Sequence, residues 1–198
     1  MADRYKSFDE LAANERLDID YRIRALDRDS EAVILAPHGG WIEPKTSDIA
    51  EAIAGTDLSF YAFEALRNGP HRNFHITSHC FDEPTAIGLV GKSSTSVAIH
   101  GRATDGTDTV WLGGRATRLR DAIGTSLQEA GFGAEINRRL PGLDEANICN
   151  RTRCLMGVQL ELSPRLRTTL MTDARLLQSF CEAVRNSIQH SHAILAPR

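Results

Sequence analysis

No stretch of this chain approaches the ~18 consecutive apolar residues that a membrane-spanning helix needs. The first residues, MADRYKSFDELAANE, are charged and lack the apolar centre of a secretory signal. The expectation is a cytoplasmic protein, reaching the outside only if released by lysis. There is no block of basic residues, and the net charge is −3. Binding driven by a phosphate backbone is therefore disfavoured. There is no basic stripe interleaved with aromatics and no helix-turn-helix pattern, so nucleic acid is not an expected partner. The four cysteines, Cys80, Cys149, Cys154 and Cys181, form no CxxC pair. That spacing argues against a zinc knuckle or a disulfide framework. Internal repeats, low-complexity tracts and linkers are also missing.

What is present is an ordinary globular composition, 41% hydrophobic and 25% charged over 198 residues. The length fits a single domain, residues 1–198, with a sizeable core. Short strand-like runs alternate with helix-like ones. Strands are expected at Glu31–Pro37, Leu58–Ala65, Asn73–Ser78, Ser96–His100, Thr109–Leu112 and Val158–Leu162. Helices are expected at Thr46–Ala54 behind a Thr46 or Ser47 cap, and in DEPTAIGLVGKS behind its proline. Two more are expected at Arg115–Ala130, stopped by Gly131, and at Asp173–His190. In the last, Leu176, Leu177, Phe180, Cys181, Val184 and Ile188 share one face. The alternation predicts an α/β domain with a mixed, largely parallel sheet covered by helices. A monomer is the working expectation.

Sites in open α/β sheets form beyond the C-terminal ends of strands. Four polar residues fall at or near such ends: His38, Glu43, His100 and Glu161. Gly39 and Gly40 allow a sharp turn that brings His38 and Glu43 together although they are five apart. Two histidines and a carboxylate are a ligand set for catalytic zinc, and a further acid supplies a general base. Glu161 takes that part, because an acid inside an apolar strand is costly to bury without a polar purpose. Each histidine alone reads as easily as a structural or surface residue, and PHGG as a plain turn.

The stretches APHGGWIEPKTSDIAEAIAG, FYAFEAL, FHITSHCFDEP, SVAIHG, VWLGGR, NICNRT and VQLELSPRLR, in this order over about residues 18 to 190, resemble the poly-γ-glutamate hydrolase family of phages and bacteria. That family is related in fold to the zinc carboxypeptidases, and some members carry the label of phage replication protein. The resemblance implies a zinc-carboxypeptidase-like domain that hydrolyses γ-glutamyl amide bonds. It makes His38, Glu43 and His100 ligands of Zn2+ and Glu161 the general base. It offers Arg151 for a substrate carboxylate or a developing oxyanion, with Asn147 and Asn150 as added donors. Asn147 also reads as a turn or cap residue.

A polyanionic γ-glutamyl polymer would need local positive charge, for which Arg102, Arg115, Arg118, Arg151 and Arg153 are candidates. Trp41 reads as a substrate wall, while Trp111 reads as core or wall. His75, Asp82 and Glu83 read as pocket rim or as a polar junction with a helix-start acid. His79 and Cys80 in TSHCFDEP stand where the family pattern leads one to expect a threonine and a histidine. His71, His190 and His192 match nothing, and the terminal HSHAILAPR reads as a frayed tail. The alternatives are a hydrolase of a smaller N-acyl or γ-glutamyl amide, and a catalytically idle ligand-binding or phage interaction module. The presence of all three ligands and the base argues against idleness.

Overall fold

The computed structural model describes residues 2–195, with side chains described through Ser191. A seven-stranded sheet runs through it. In chain order the strands are β1 (Tyr21–Leu26), β2 (Ala32–Gly40), β3 (Ser59–Ala65), β4 (Thr95–Gly101), β5 (Val110–Gly113), β6 (Ala134–Ile136) and β7 (Val158–Leu162). Their spatial order is β1-β3-β2-β4-β7-β5-β6. β3, β2, β4 and β7 are parallel, whereas β1 and β5 run antiparallel to their inner neighbours. The expected mixed, largely parallel sheet is present.

Six α-helices accompany it among the described residues: α1 (Phe8–Asn14), α2 (Thr46–Ala54), α3 (Pro84–Lys92), α4 (Thr117–Glu129), α5 (Pro164–Thr172) and α6 (Ala174–Leu195). No helix among the described residues is long and apolar enough to cross a membrane. Alternate residues of β2 serve two cores. Ala32, Ile34 and Ala36 pack under α2, α4, α5 and α6, with Ile53, Ile123 and Phe180. Val33 and Leu35 face the other side, with Leu11, Phe81, Leu89 and Val90. Burial on both faces explains why β2 is a continuous apolar run.

Several elements differ from expectation. Asn73–Ser78 is not a strand. A 3-10 turn at His71–Asn73 leads into a loop whose Thr77 amide and hydroxyl donate to Asp3, so the amide is spent outside any ladder. α2 has no side-chain cap: Lys45 precedes it in a left-handed conformation, and the Thr46 hydroxyl donates to the Glu43 carbonyl at 2.8 Å. Leu176 is exposed, while Phe180, Cys181, Val184 and Ile188 are buried. α6 continues through His190, whose Nδ1 bonds the Asn186 carbonyl, so the described part of the tail is helical; the side chain of His192 lies outside the described residues. Not anticipated were α1, β1, β6 and α5. β1 carries the alternation YRIRAL, a half-exposed pattern beside the fully buried β3.

Glu64 of β3 ties these strands together. It is buried, and Arg22 and Arg24 of β1 reach it at 2.5 and 3.2 Å. Burial would raise its pKa, but hydrogen bonds from Arg22 and Ser47 and the charges of both arginines hold it below the usual carboxylate range. A depressed folded-state pKa means stability that is present above the unfolded-state value of ~4.3 and is lost as pH falls through the folded value. Glu64→Gln is therefore expected to cost about 1–3 kcal/mol at pH 7. The difference from wild type, followed by urea unfolding, should close as pH drops below about 4; a gap constant with pH would show that the charge is not what matters.

Candidate metal centre

β2 and β3 pair in register from Val33 to Ala36, but the next pair is Gly39 with Glu64. Between them β2 spends three steps where β3 spends two. This bulge turns His38 away from the side that Ala32, Ile34 and Ala36 occupy. Its ring lies instead beside Phe81, His75 and His100, on the Val33 side of the sheet. The chain then folds back, and the Glu43 amide donates to the His38 carbonyl at 2.9 Å. Gly40 makes the turn possible. Its φ is +61°, and a Cβ there would stand 2.2 Å from the Ala65 carbonyl oxygen.

His100 is the last residue but one of β4, and β7 places Glu161 opposite it. Trp111 of β5 sits opposite Glu161 in turn. Ala98 packs on the Val33 side, and Leu160 and Leu162 on the other, so His100 and Glu161 both join His38. All lie on the wall of one cavity of about 1030 Å³ at the C-terminal edge of β2, β4 and β7.

Two imidazole nitrogens and the two oxygens of one carboxylate converge. His38 Nδ1 is 3.1 Å from His100 Nδ1 and 3.3 Å from Glu43 Oε1, and His100 Nδ1 is 3.7 Å from Glu43 Oε2. Tetrahedral ligands about 2.0–2.1 Å from zinc are spaced about 3.3 Å from one another, so this triangle fits one such ion. Tautomers agree. His38 Nε2–H donates to the Ile76 carbonyl at 2.8 Å, which leaves the lone pair on Nδ1. The Gly101 amide fixes Glu43 Oε2 at 2.7 Å. A cation among these atoms would relieve the facing lone pairs.

The environment separates the two acids. Burial alone would raise the pKa of Glu43, but the charge of His38 and hydrogen bonds with His100, His38 and His71 hold it well below the usual range. Burial pushes Glu161 up to about 7, with the charge of His100 opposing. Burial acts to lower His100, but the Glu43 hydrogen bond and the charges of Glu161 and Glu43 raise it. Glu161 Oε1 accepts from Gln159 Nε2 at 3.1 Å. Gln159 is held by Asn147 Nδ2 at 3.0 Å.

Other expected site residues divide. His75 reaches the cavity, and its Nδ1–H donates to Asp3 at 2.8 Å. Burial and the charges of His38 and His71 push its pKa down to about 3, against the pull of Glu43, so the ring is neutral with Nε2 unprotonated. One of its nitrogens lies with donor atoms of His38 and Glu43 in a group spanning 4.8 Å. Arg102 lines the cavity, but its guanidinium is stacked on Trp111 and committed to Asp105, Thr107 and Thr109. Asn147 lines it too, with its amide spent on Gln159 and the Cys149 amide.

Arg151 and Asn150 do not line the cavity. Arg151 donates to the Ala146 and His79 carbonyls. Asn150 is fully buried, accepting from the Arg115 and Gly157 amides and donating to the Gly142 and Asp144 carbonyls. Both brace a loop. Trp41 is half exposed and outside this cavity; Trp111 is the tryptophan on its wall. Asp82 and Glu83 receive the Phe8 amide and the first amides of α3, so the polar-junction reading holds for both. Sequence reasoning passed over His71, Gln159, Arg139 and Arg167, all at the cavity. His71 Nε2 is 3.7 Å from Glu43 Oε1. Its only sequence signal was its position four before His75.

Gly40→Ala should cost at least about 2 kcal/mol, lowering the thermal midpoint by about 4–8 °C. An unshifted midpoint in calorimetry would mean that the turn tolerates a Cβ.

Residues 5–186 match the model of the poly-gamma-glutamate hydrolase family. The SPbeta prophage-derived protein YoqZ of Bacillus subtilis is 38% identical over 192 residues, covering 96% of this chain and 67% of that protein. A solved bacteriophage poly-gamma-glutamate hydrolase superposes with a TM-score of 0.92 at 28% identity, over 98% of this chain and all of the other. The solved zinc-free apo form of YndL gives 0.88 at 29% identity, over 96% and 98%. Matched by the family's model over most of its length, and by a curated relative at 38% identity, the chain belongs to the poly-γ-glutamate hydrolase family.

Proposed function

We propose that the protein is a zinc-dependent amidohydrolase that cleaves the γ-glutamyl amide bonds of poly-γ-glutamate. The observation that carries this reading is the triangle of His38 Nδ1, His100 Nδ1 and the Glu43 carboxylate, with edges of 3.1–3.7 Å, beside the buried acid Glu161. In this reading His38, Glu43 and His100 hold the ion. Zinc bound there supplies Lewis acidity to a water and to the amide carbonyl. Glu161 takes the proton of the attacking water and returns it to the leaving nitrogen. Burial pushes its carboxyl up to about 7 without the ion, and a bound cation would draw it down towards the ionised form a base needs. Gln159 holds Oε1 of Glu161 and leaves the second oxygen for the proton. Neutral His75, its Nδ1–H fixed on Asp3, offers an acceptor to a substrate N–H.

A smaller γ-glutamyl or N-acyl amide would undergo the same chemistry. The cavity, about 1030 Å³, has room for either, since small-ligand pockets run from about 300 to 1,000 Å³.

Elemental analysis of purified protein should find one zinc per chain, lost in the His38→Ala/His100→Ala double variant. Glu161→Gln should keep the metal, and its turnover of poly-γ-glutamate should fall by about 10²–10⁴-fold. Near wild-type turnover in that variant would remove Glu161 as the base. A folded chain that takes up no zinc would remove the hydrolase reading itself.

A further inference from the structure

Arg167 stands apart from the other cations around the cavity. It rises from α5 and is buried, 6% exposed. Of the two other arginines on the cavity wall, Arg102 is paired with Asp105 at 2.8 Å and Arg139 is exposed to solvent; Arg115 and Arg165, off the wall, are each paired with a carboxylate at 2.6 Å. Arg167 has no ion pair among the described residues. Its Nη1 donates to the Pro44 carbonyl at 2.6 Å, and its Nε has no partner. A guanidinium taken out of water with a carbonyl as its only fixed acceptor is destabilising unless an anion completes it. Burial lowers its pKa, and the negative charge of Glu43 and Glu161 pulls the other way.

Its position is equally specific. A Cβ at Gly101 would lie 2.7 Å from Arg167 Cζ and 2.9 Å from Glu43 Cβ. Only a glycine after His100 lets the guanidinium pack against this strand end, beside the candidate ligands and on the cavity wall. The bare Cα of residue 101 and the unpaired cation form one arrangement.

We infer that Arg167 binds an α-carboxylate of the γ-glutamyl chain next to the scissile amide, and so selects the substrate. The inference rests on the zinc-hydrolase reading above. A three-carbon chain separates the γ-carbonyl of a glutamyl unit from its α-carboxylate, a reach of about 5 Å when extended. An anion therefore accompanies every scissile carbonyl at short range. The planar fork of arginine matches a carboxylate, and Nε is an unused donor on that fork.

The test compares γ-linked glutamate oligomers carrying free α-carboxylates with the same oligomers as α-carboxamides. The enzymes are the zinc-loaded wild type, Arg167→Gln and Arg167→Lys, with Arg165→Gln as a control at an exposed position of α5. Wild type should prefer the carboxylate form. Arg167→Gln should lose on the order of 30-fold or more in kcat/KM on that form, carried by KM, and less than about threefold on the carboxamide. Calorimetric titration of the carboxylate oligomer into metal-free protein should show the same loss without turnover. Arg167→Lys should keep part of the preference, and it replaces the glutamine variant if that one does not fold. Equal losses on both forms, carried by kcat, would make Arg167 an oxyanion or packing residue and overturn the inference alone. Wild type that cleaves neither form would overturn the hydrolase reading, and this inference with it.

Discussion

The amide of Glu43 donates to the carbonyl of His38 at 2.9 Å, and the site depends on that closed turn. It brings an imidazole from a strand and a carboxylate from a helix approach to one point. Two backbone features permit it. The bulge before Gly39 swings His38 to the side of the sheet where His100 and Glu161 already point. Gly40, at positive φ, lets the chain double back against the Ala65 carbonyl. A strand of strict period two would have aimed His38 under α2, into the larger apolar core. The register slip is thus what converts a buried strand end into a candidate ligand site.

Once the groups are gathered, burial and hydrogen bonding sort their charges. Glu43 accepts the Gly101 amide and has histidines on three sides, so it stays ionised. Glu161, equally buried, receives a neutral amide from Gln159 and is raised by that burial to about 7. Two carboxyls with environments that push their pKa values apart can divide the work of ligand and proton carrier. The histidines divide in the same way: His100 is raised by facing acids, and His75 is lowered to about 3 among other imidazoles.

Much of this was legible in the sequence. β7 and α2 have the expected bounds, and β2, β4 and β5 end within a few residues of theirs. Apolar runs interrupted by His38, His100 and Glu161 marked the strand ends where they gather. The elements that escaped notice were short or half-exposed, as with β1 and β6, or joined to a neighbour, as α5 is to α6 across Asp173. Among polar residues, proximity in sequence misled. Arg151 and Asn150 sit in a polar segment that reads like a binding loop, yet their hydrogen bonds close that loop on itself. Arg167, on the unanticipated α5, drew no notice in the sequence, yet it is buried. Which arginine faces a cavity is decided by long-range packing, here by the missing side chain at Gly101, and no local pattern encodes that.

The support around Glu161 shows why neutral residues matter as much as charged ones. Asn147 holds Gln159, and Gln159 holds Glu161, each through a side-chain amide donor at 3.0–3.1 Å. An arginine or lysine in place of Gln159 would orient the carboxylate as well, but it would favour the ionised form and draw the pKa down. A purely apolar neighbour would leave the pKa high and the carboxyl free to rotate. The amide pair fixes the geometry while adding no charge, so burial, opposed by the charge of His100, governs the proton affinity. Asn147, on the cavity wall, fits its reading as a cap: its side chain accepts the Cys149 amide, and it reaches Glu161 through Gln159.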